Sequence, residues 1–377
     1  MSSLVDWELA ERVASLVAGS EPAPGRYSSA AELEAAAALS AAAVIDYTGL
    51  VPQAPLPGAE WVSRRAWAEI NLTAMRDSLA AIEAELAGRL GPGGPLGALA
   101  GATVGRLAAV QVGGLVGYAS RRVLGQYEFP LLGPAEREPR LLFVAANIDT
   151  AQSRFDADPE SVLRWIALHE VTHAVHFAST PWLAPHLGEL ADRLLRESTL
   201  GLGPSELLAA ARSLIGTDPR EMLRRLGETD PLTLLTPAPT RGLLAGIQAA
   251  MASVEGYAEH VMDAAAPLIG EEVRGLRAQM EQRRADRNPL ARLLGWLLGL
   301  ELKMRQYRDG KAFADAVVDA AGIETLNRAW AGPEQLPRSD ELAHAGRWIE
   351  RTRPVAATLG PSSGSNTARE SGSCAPL

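Results

Sequence analysis

Apolar residues recur at helical spacing along most of the chain, and connectors rich in proline and glycine separate these stretches. Two other stretches predict strands, at 123–129 and 140–146, because they are short, rich in β-forming residues and bounded by turn residues. Besides the helices discussed below, helices are predicted at 61–86, 182–200, 204–215, 219–227, 271–286, 289–309 and 310–331. The pattern therefore predicts a mainly α fold with a small β-hairpin or sheet element.

The segment 96–119 is apolar enough to be compared with a membrane span. Arg106 and Gln111 lie inside it, and a charged residue at such a position opposes insertion. Small residues recur at every fourth position and form one stripe on the predicted helix: Gly101, Gly105, Ala109, Gly113 and Gly117. Because such a stripe lets a second helix backbone approach closely, we predict a tightly packed helix and no membrane span.

A helix is predicted at 158–177, since its first residues provide an N-cap, a first-turn proline and a first-turn acid. It contains the sequence His-Glu-Val-Thr-His at 169–173. His169 and His173 lie one turn apart on one helix face, so both imidazoles can bind one metal ion. Glu170 projects beside that face, where it can take a proton from a metal-bound water. The motif therefore predicts a zinc site with two histidine ligands and Glu170 as general base, because zinc activates water near neutral pH.

A catalytic zinc site normally has three protein ligands, so a third is needed. His176 shares the stripe of His169 and His173, but the helix from the first to the last of these covers about 10 Å. One ion with bonds of about 2 Å is too small to bind all three. A metzincin site would require glycine at 176 and histidine at 179, where this chain has His176 and Ser179. The third ligand is therefore expected from another helix.

Glu255 is the predicted third ligand, on a long apolar helix at 241–269. Glu255, Glu259 and Asp263 lie one turn apart on one stripe, and stacked acids repel one another unless a cation or donors face them. Zinc bound to Glu255, with Glu259 holding the outer nitrogen of a ligating histidine, would balance these charges. Glu259, His260 and Asp263 remain alternative ligands, and an exposed acidic face is the alternative without a metal.

Segments spread over much of the chain resemble the bacterial zincin-like metallopeptidase family of unknown function. They lie at 122–127, 142–148, 165–177, 255–263 and 303–313. The acid pair at 255 and 259 also resembles the gluzincins, whose second helix supplies a glutamate ligand and an acid four residues later. The resemblance implies a mainly helical zincin-like fold, an active-site helix pair and hydrolase activity, but no substrate. Some family members are labelled as associated with deazaflavin coenzyme biosynthesis, yet no deazaflavin site is recognisable in these residues.

Tyr307 lies in the last of these segments and is a further candidate for the zinc site. A phenol close to zinc could stabilise the oxyanion of a tetrahedral intermediate. Periodicity favours the alternative, in which Met304, Tyr307 and Phe313 pack into the core from an amphipathic helix.

The chain has 36 basic and 45 acidic residues, and its net charge of −9 leaves no basic surplus for binding nucleic acid or an anionic membrane. Its single cysteine, Cys374, excludes a disulfide framework and a cysteine-based zinc cluster within the chain. The first residues include acids where a secretory signal has basic and then apolar residues, so we expect a cytoplasmic protein. We predict an N-terminal helical region at 1–95, a zincin-like catalytic domain at 96–353 and a disordered tail of low complexity at 354–377.

These features predict a zinc-dependent hydrolase, and specifically a metallopeptidase that binds one zinc ion per chain and cleaves a peptide or protein substrate. Zinc-activated water would attack the substrate, with Glu170 as general base. An extended substrate would bind along a sheet edge, for which the strand at 141–146 is the candidate. One alternative is a catalytically inactive zincin-fold scaffold or binding protein, against which the intact Glu170 argues. The other is a zinc amidase or esterase with a non-peptide substrate. The substrate, any partner proteins and the oligomeric state are not predicted.

Overall fold

The computed structural model describes residues 5–20, 29–90, 95–129, 137–155, 157–200, 240–270, 273, 276 and 300–353. In chain order, the α-helices of these residues, α1 to α11, are Trp7–Ala18, Ala30–Thr48, Arg64–Leu90, Pro95–Ser120, Ala145–Phe155, Pro159–Ser179, Leu183–Leu200, Arg241–Ile269, Leu300–Ala321, Ile323–Leu326 and Ala345–Arg351. The strands β1 to β3 are Ala59–Val62, Gly125–Glu128 and Arg140–Val144. Short 3-10 segments at Asn327–Trp330 and Pro333–Gln335 lie between α10 and α11. The predicted mainly α fold with a small sheet is confirmed.

β3 is the central strand of the sheet, parallel to β1 on one side and antiparallel to β2 on the other. Both predicted strands are confirmed. β1 was not predicted, because four residues are too few to show a clear period. The prediction that the helix at 61–86 begins at residue 61 is wrong, since residues 61 and 62 belong to β1 and the helix begins at Arg64. Trp61 of β1 packs edge-on against Phe143 of β3, a contact between distant parts of the chain. The prediction that residues 141–146 form a sheet edge is wrong, because both sides of β3 are occupied and α5 begins at Ala145.

α6 begins where the sequence predicts, with Asp158 as N-cap. The carboxylate of Asp158 accepts a hydrogen bond from the backbone N–H of Ser161 at 2.8 Å, and Pro159 occupies the first helical position. The helix packs against α2, α8 and β2. Its apolar side chains are enclosed in the main core, with Leu168 and Val175 inaccessible to solvent. The N-terminal region therefore supplies α2 and β1 to the surroundings of α6, while the domain boundary near residue 95 stays a prediction.

The small-residue stripe of α4 packs against α1, as predicted. A Cβ atom added to Gly113 would overlap the carbonyl oxygen of Ala10, and one added to Gly117 would lie 2.6 Å from the carbonyl oxygen of Ala14. The two backbones therefore approach too closely for any larger residue at these positions. None of the described helices combines the length and the apolar character that a membrane span requires.

α8 and α9 also cross at glycines. A Cβ atom on Gly310 would overlap the backbone carbonyl of Ala252, and one on Gly256 would overlap the backbone of Gly310. The predicted break between helices at 309–310 is wrong, because α9 runs through Gly310 and this glycine serves the crossing instead of ending a helix.

The helices predicted at 204–215 and 219–227, most of 271–286, residues 289–299 and the tail at 354–377 lie outside the described residues.

Gly310→Ala is expected to lower the free energy of unfolding by about 1–3 kcal/mol, the usual cost of over-packing. The added methyl group would meet backbone atoms of α8, which cannot rotate away as a side chain could. Gly246→Ala, on α8, is the control, since a Cβ atom there has no neighbour within 4 Å. It should be neutral or stabilise the protein by up to about 1 kcal/mol, because alanine favours a helix over glycine. Equal unfolding midpoints of the two variants in urea would contradict the close crossing.

Candidate metal centre

Three predicted metal ligands converge from two helices. α6 supplies His169 and His173, and α8 supplies Glu255. One possible ligand atom from each residue lies within 4.8 Å of those of the other two. Nε2 of His173 is 3.6 Å from a carboxylate oxygen of Glu255, and the two imidazole rings stand perpendicular with centroids 4.8 Å apart. The structure therefore gathers the donor set that the sequence predicts.

This donor set fits a zinc ion. Two imidazoles and a carboxylate form one of the combinations found in catalytic zinc sites, with a fourth position left open. The side chains of His173 and Glu255 are only 10% and 14% exposed. Withdrawing a carboxylate from water is unfavourable unless a cation or donors face it, and a divalent ion between the three residues would provide that charge.

Two of the alternative third ligands, His260 and Asp263, lie in a separate polar cluster. His260 lies between the Tyr47 hydroxyl, 2.7 Å from Nε2, and the carboxylate of Asp315, 2.7 Å from Nδ1. Asp263 forms an ion pair with Lys311 at 3.1 Å. Among the described residues, Glu255 therefore joins the histidine pair, whereas His260 and Asp263 do not.

The same cluster ties α8 to α2 and α9. Lys311 donates to Asp315 at 2.6 Å and reaches Asp263 from the same nitrogen. Burial alone would raise the pKa of Asp315, but the hydrogen bonds and charges of Lys311 and His260 outweigh it and hold this pKa below its usual range. The ionised carboxylate thus links side chains of two helices, while Tyr47 adds the third.

Met262 is a neighbour of the site that sequence analysis missed. Its sulfur lies 2.9 Å from Nδ1 of His169, and the side chain is almost completely buried. A thioether is a weak acceptor, so Nδ1 of His169 can donate a hydrogen bond to it. Because the proton is then on Nδ1, the other ring nitrogen presents its lone pair to a metal. The available signal was spacing, because Met262 follows Glu255 by two helical turns on one face. The role of Glu259, half-buried one turn after Glu255, stays a prediction.

Glu170 lies against strand β2. The backbone N–H of Tyr127 donates to its Oε2 at 2.9 Å, and the side chain is buried. A Cβ atom on Gly125 would lie 2.6 Å from Cγ of Glu170, so the strand passes directly over the side chain. Neither Gly125 nor Tyr127 was singled out from the sequence as part of the site, since their contacts with α6 depend on tertiary packing.

His176 and Tyr307 are the remaining candidates. His176 is inaccessible to solvent, with its ring centroid 4.0 Å from that of Trp330 and 4.9 Å from that of Tyr257. Burial, with a smaller contribution from His173, lowers the pKa of His176 to about 3, so the ring is neutral. It is not part of the three-residue ligand group. Tyr307 belongs to α9, but its side chain lies outside the described part of the structure, so its role near the zinc stays a prediction.

A helix pair that gathers two histidines and a glutamate, with a second glutamate beside them, is the arrangement of a zinc hydrolase site. The model of a family described as zincin-like metallopeptidase matches residues 5–349. A crystal structure from Chloroflexus aurantiacus, described as that of a presumed hydrolase with a novel fold, has a TM-score of 0.65 and 30% sequence identity. The similarity covers 92% of this chain and 98% of that chain. A comparison with curated proteins gives no match.

The chain belongs to the zincin-like metallopeptidase family, which confirms the family predicted from the sequence. Membership supports zinc-dependent hydrolysis as the general class of activity and a metal at the site. It does not identify the substrate.

His169→Ala and His173→Ala are each expected to abolish binding of about one zinc ion per chain, because each removes one of three ligands. Zinc content after dialysis and competition with a chromophoric chelator measure this. Full metal occupancy in both variants would contradict the site.

Glu255→Ala should lower zinc affinity sharply, whereas His260→Gln should change it much less, because His260 contacts Tyr47 and Asp315 and acts on the ligand group only through the position of α8. Glu259→Ala should weaken binding by about 10–100-fold if Glu259 orients a ligating histidine. Chelator competition distinguishes these effects. Normal affinity in Glu255→Ala together with a loss in His260→Gln would show that the third ligand is misassigned.

Proposed function

We propose that the protein is a metallopeptidase that binds one zinc ion per chain through His169, His173 and Glu255 and hydrolyses peptide bonds. The convergence of these three side chains, two of them on the helix that carries Glu170, supports the proposal. Zinc, when bound, lowers the pKa of water and polarises the carbonyl group that is attacked.

Glu170 is the general base in this proposal. Its carboxylate accepts a proton from the attacking water and then transfers that proton to the amine nitrogen as the C–N bond breaks, so the base is regenerated. The hydrogen bond from the Tyr127 N–H fixes one carboxylate oxygen, which leaves the acid little freedom to turn away from the site. A purely structural metal site would have no use for an acid at this position, which argues against the scaffold alternative.

The edge of β2 favours an extended peptide as the substrate. The carbonyl of Leu124 accepts from the N–H of Val144, so the backbone groups of Gly125 and Tyr127 point away from β3. The N–H of Tyr127 accordingly reaches Glu170 on that outer side. A peptide that pairs with this edge would use the backbone groups of Gly125 and the carbonyl of Tyr127, since the Tyr127 N–H donates to Glu170, and its backbone would lie next to the general base. β2 thus takes the role that the sequence analysis gave to residues 141–146.

Glu170→Gln is expected to bind zinc as the wild type does, because Glu170 is not among the proposed ligands. Its hydrolysis rate should fall by about 10²–10⁴-fold, since the amide cannot accept the water's proton. A peptide library, with simple amides and esters in parallel, provides substrates, and metal content is measured for each sample. Equal turnover by wild type and zinc-loaded Glu170→Gln would contradict the mechanism. Cleavage of esters or small amides without peptides would favour the amidase or esterase alternative, and a zinc-loaded but inactive wild type would favour the scaffold.

A further inference from the structure

Glu170 occupies the space that a side chain at position 125 would fill. A Cβ atom there would lie 2.6 Å from Cγ, 3.1 Å from Cδ and 3.2 Å from Oε1 of Glu170. Real side chains do not approach this closely, so any residue larger than glycine would displace the acid or the strand. Gly125 is not among the described glycines with a positive φ, so its backbone conformation does not require glycine. A glycine inside a strand often marks the close approach of another group, and here that group is Glu170.

A second contact from the same strand acts on the other carboxylate oxygen. The N–H of Tyr127 donates to Oε2 at 2.9 Å. The two contacts come from positions 125 and 127, whose backbone groups point away from β3 and whose Cβ directions lie on one face of the sheet. α6 therefore sets the position of the Glu170 backbone, whereas β2 sets the position of its carboxylate.

We propose that Gly125 is a positioning residue for the general base, and that β2 holds the Glu170 carboxylate in its working position. The catalytic meaning of this arrangement rests on the proposed function. The metal ligands come from α6 and α8, and the three atoms nearest to the Cβ position of Gly125 all belong to Glu170 and not to a ligand. Metal binding and base positioning are consequently separable, and a substitution at Gly125 displaces the base while the metal site stays complete.

A thermal double-mutant cycle tests the contact without any substrate. Gly125→Ala should lower the unfolding midpoint, because the new methyl group meets Glu170. In the Glu170→Ala background the same substitution should have less than half that effect, since the opposing side chain is gone. Gly58→Ala is the control, as a Cβ atom there has no neighbour within 4 Å, and it should leave both backgrounds unchanged. An equal loss from Gly125→Ala in both backgrounds would overturn the proposal.

Kinetics with zinc-loaded proteins then test the positioning role. Gly125→Ala should lower kcat by about 100-fold, the cost of misplacing a catalytic group by about 1 Å. KM and zinc affinity should change little, and Glu170→Gln should suffer no further loss from Gly125→Ala, because both act through one carboxylate. An unchanged kcat in Gly125→Ala would overturn the positioning role. If the thermal cycle shows coupling but the wild type hydrolyses no substrate, the contact between Gly125 and Glu170 is confirmed and the proposed function is contradicted instead.

Discussion

α6 is largely enclosed by other elements, yet it carries four ionisable side chains between residues 169 and 176. A polar group withdrawn from water is costly unless another group faces it. Three of these side chains have such a partner from elsewhere in the fold: His169 has the Met262 sulfur, Glu170 the Tyr127 amide, and His173 the Glu255 carboxylate. The fourth, His176, is enclosed by the rings of Tyr257 and Trp330, and its burial keeps it neutral. The ligand group and the hydrogen bond of Glu170 therefore form only when α8 and β2 are packed against α6.

Two sets of contacts fix the position of α8. The first is the crossing of Gly256 and Gly310, which brings the backbone of α8 directly against α9 and so fixes the distance and the register between the two helices. Beyond that crossing, His260 and Asp263 meet side chains of α2 and α9 and hold the rotation of the helix about its axis. Rotation and translation together decide whether Glu255 reaches His173, so residues remote from the chemistry govern the geometry of the ligand group.

Local patterns predicted the parts of the site that lie within one helix. The start of α6, the spacing of its histidines and the position of Glu255 on its helix are all properties of neighbouring residues, and the structure brings Glu255 to the histidines. Gly125 and Met262 were not predicted as part of the site, because each contacts a residue far away in the chain. Gly310 illustrates the same difficulty, since a glycine that ends a helix and a glycine that admits another helix look alike in the sequence.

The ligand group also has a consequence for the chain as a polymer. An ion held jointly by His173 and Glu255 closes the intervening chain into a loop, much as a disulfide does. Such a closure removes conformations from the unfolded ensemble, and the number removed grows slowly with loop length. Because the connection between α6 and α8 is long, a bound metal would act as a cross-link between distant parts of the fold. Folding and metal binding would then be one coupled equilibrium, in which each process favours the other.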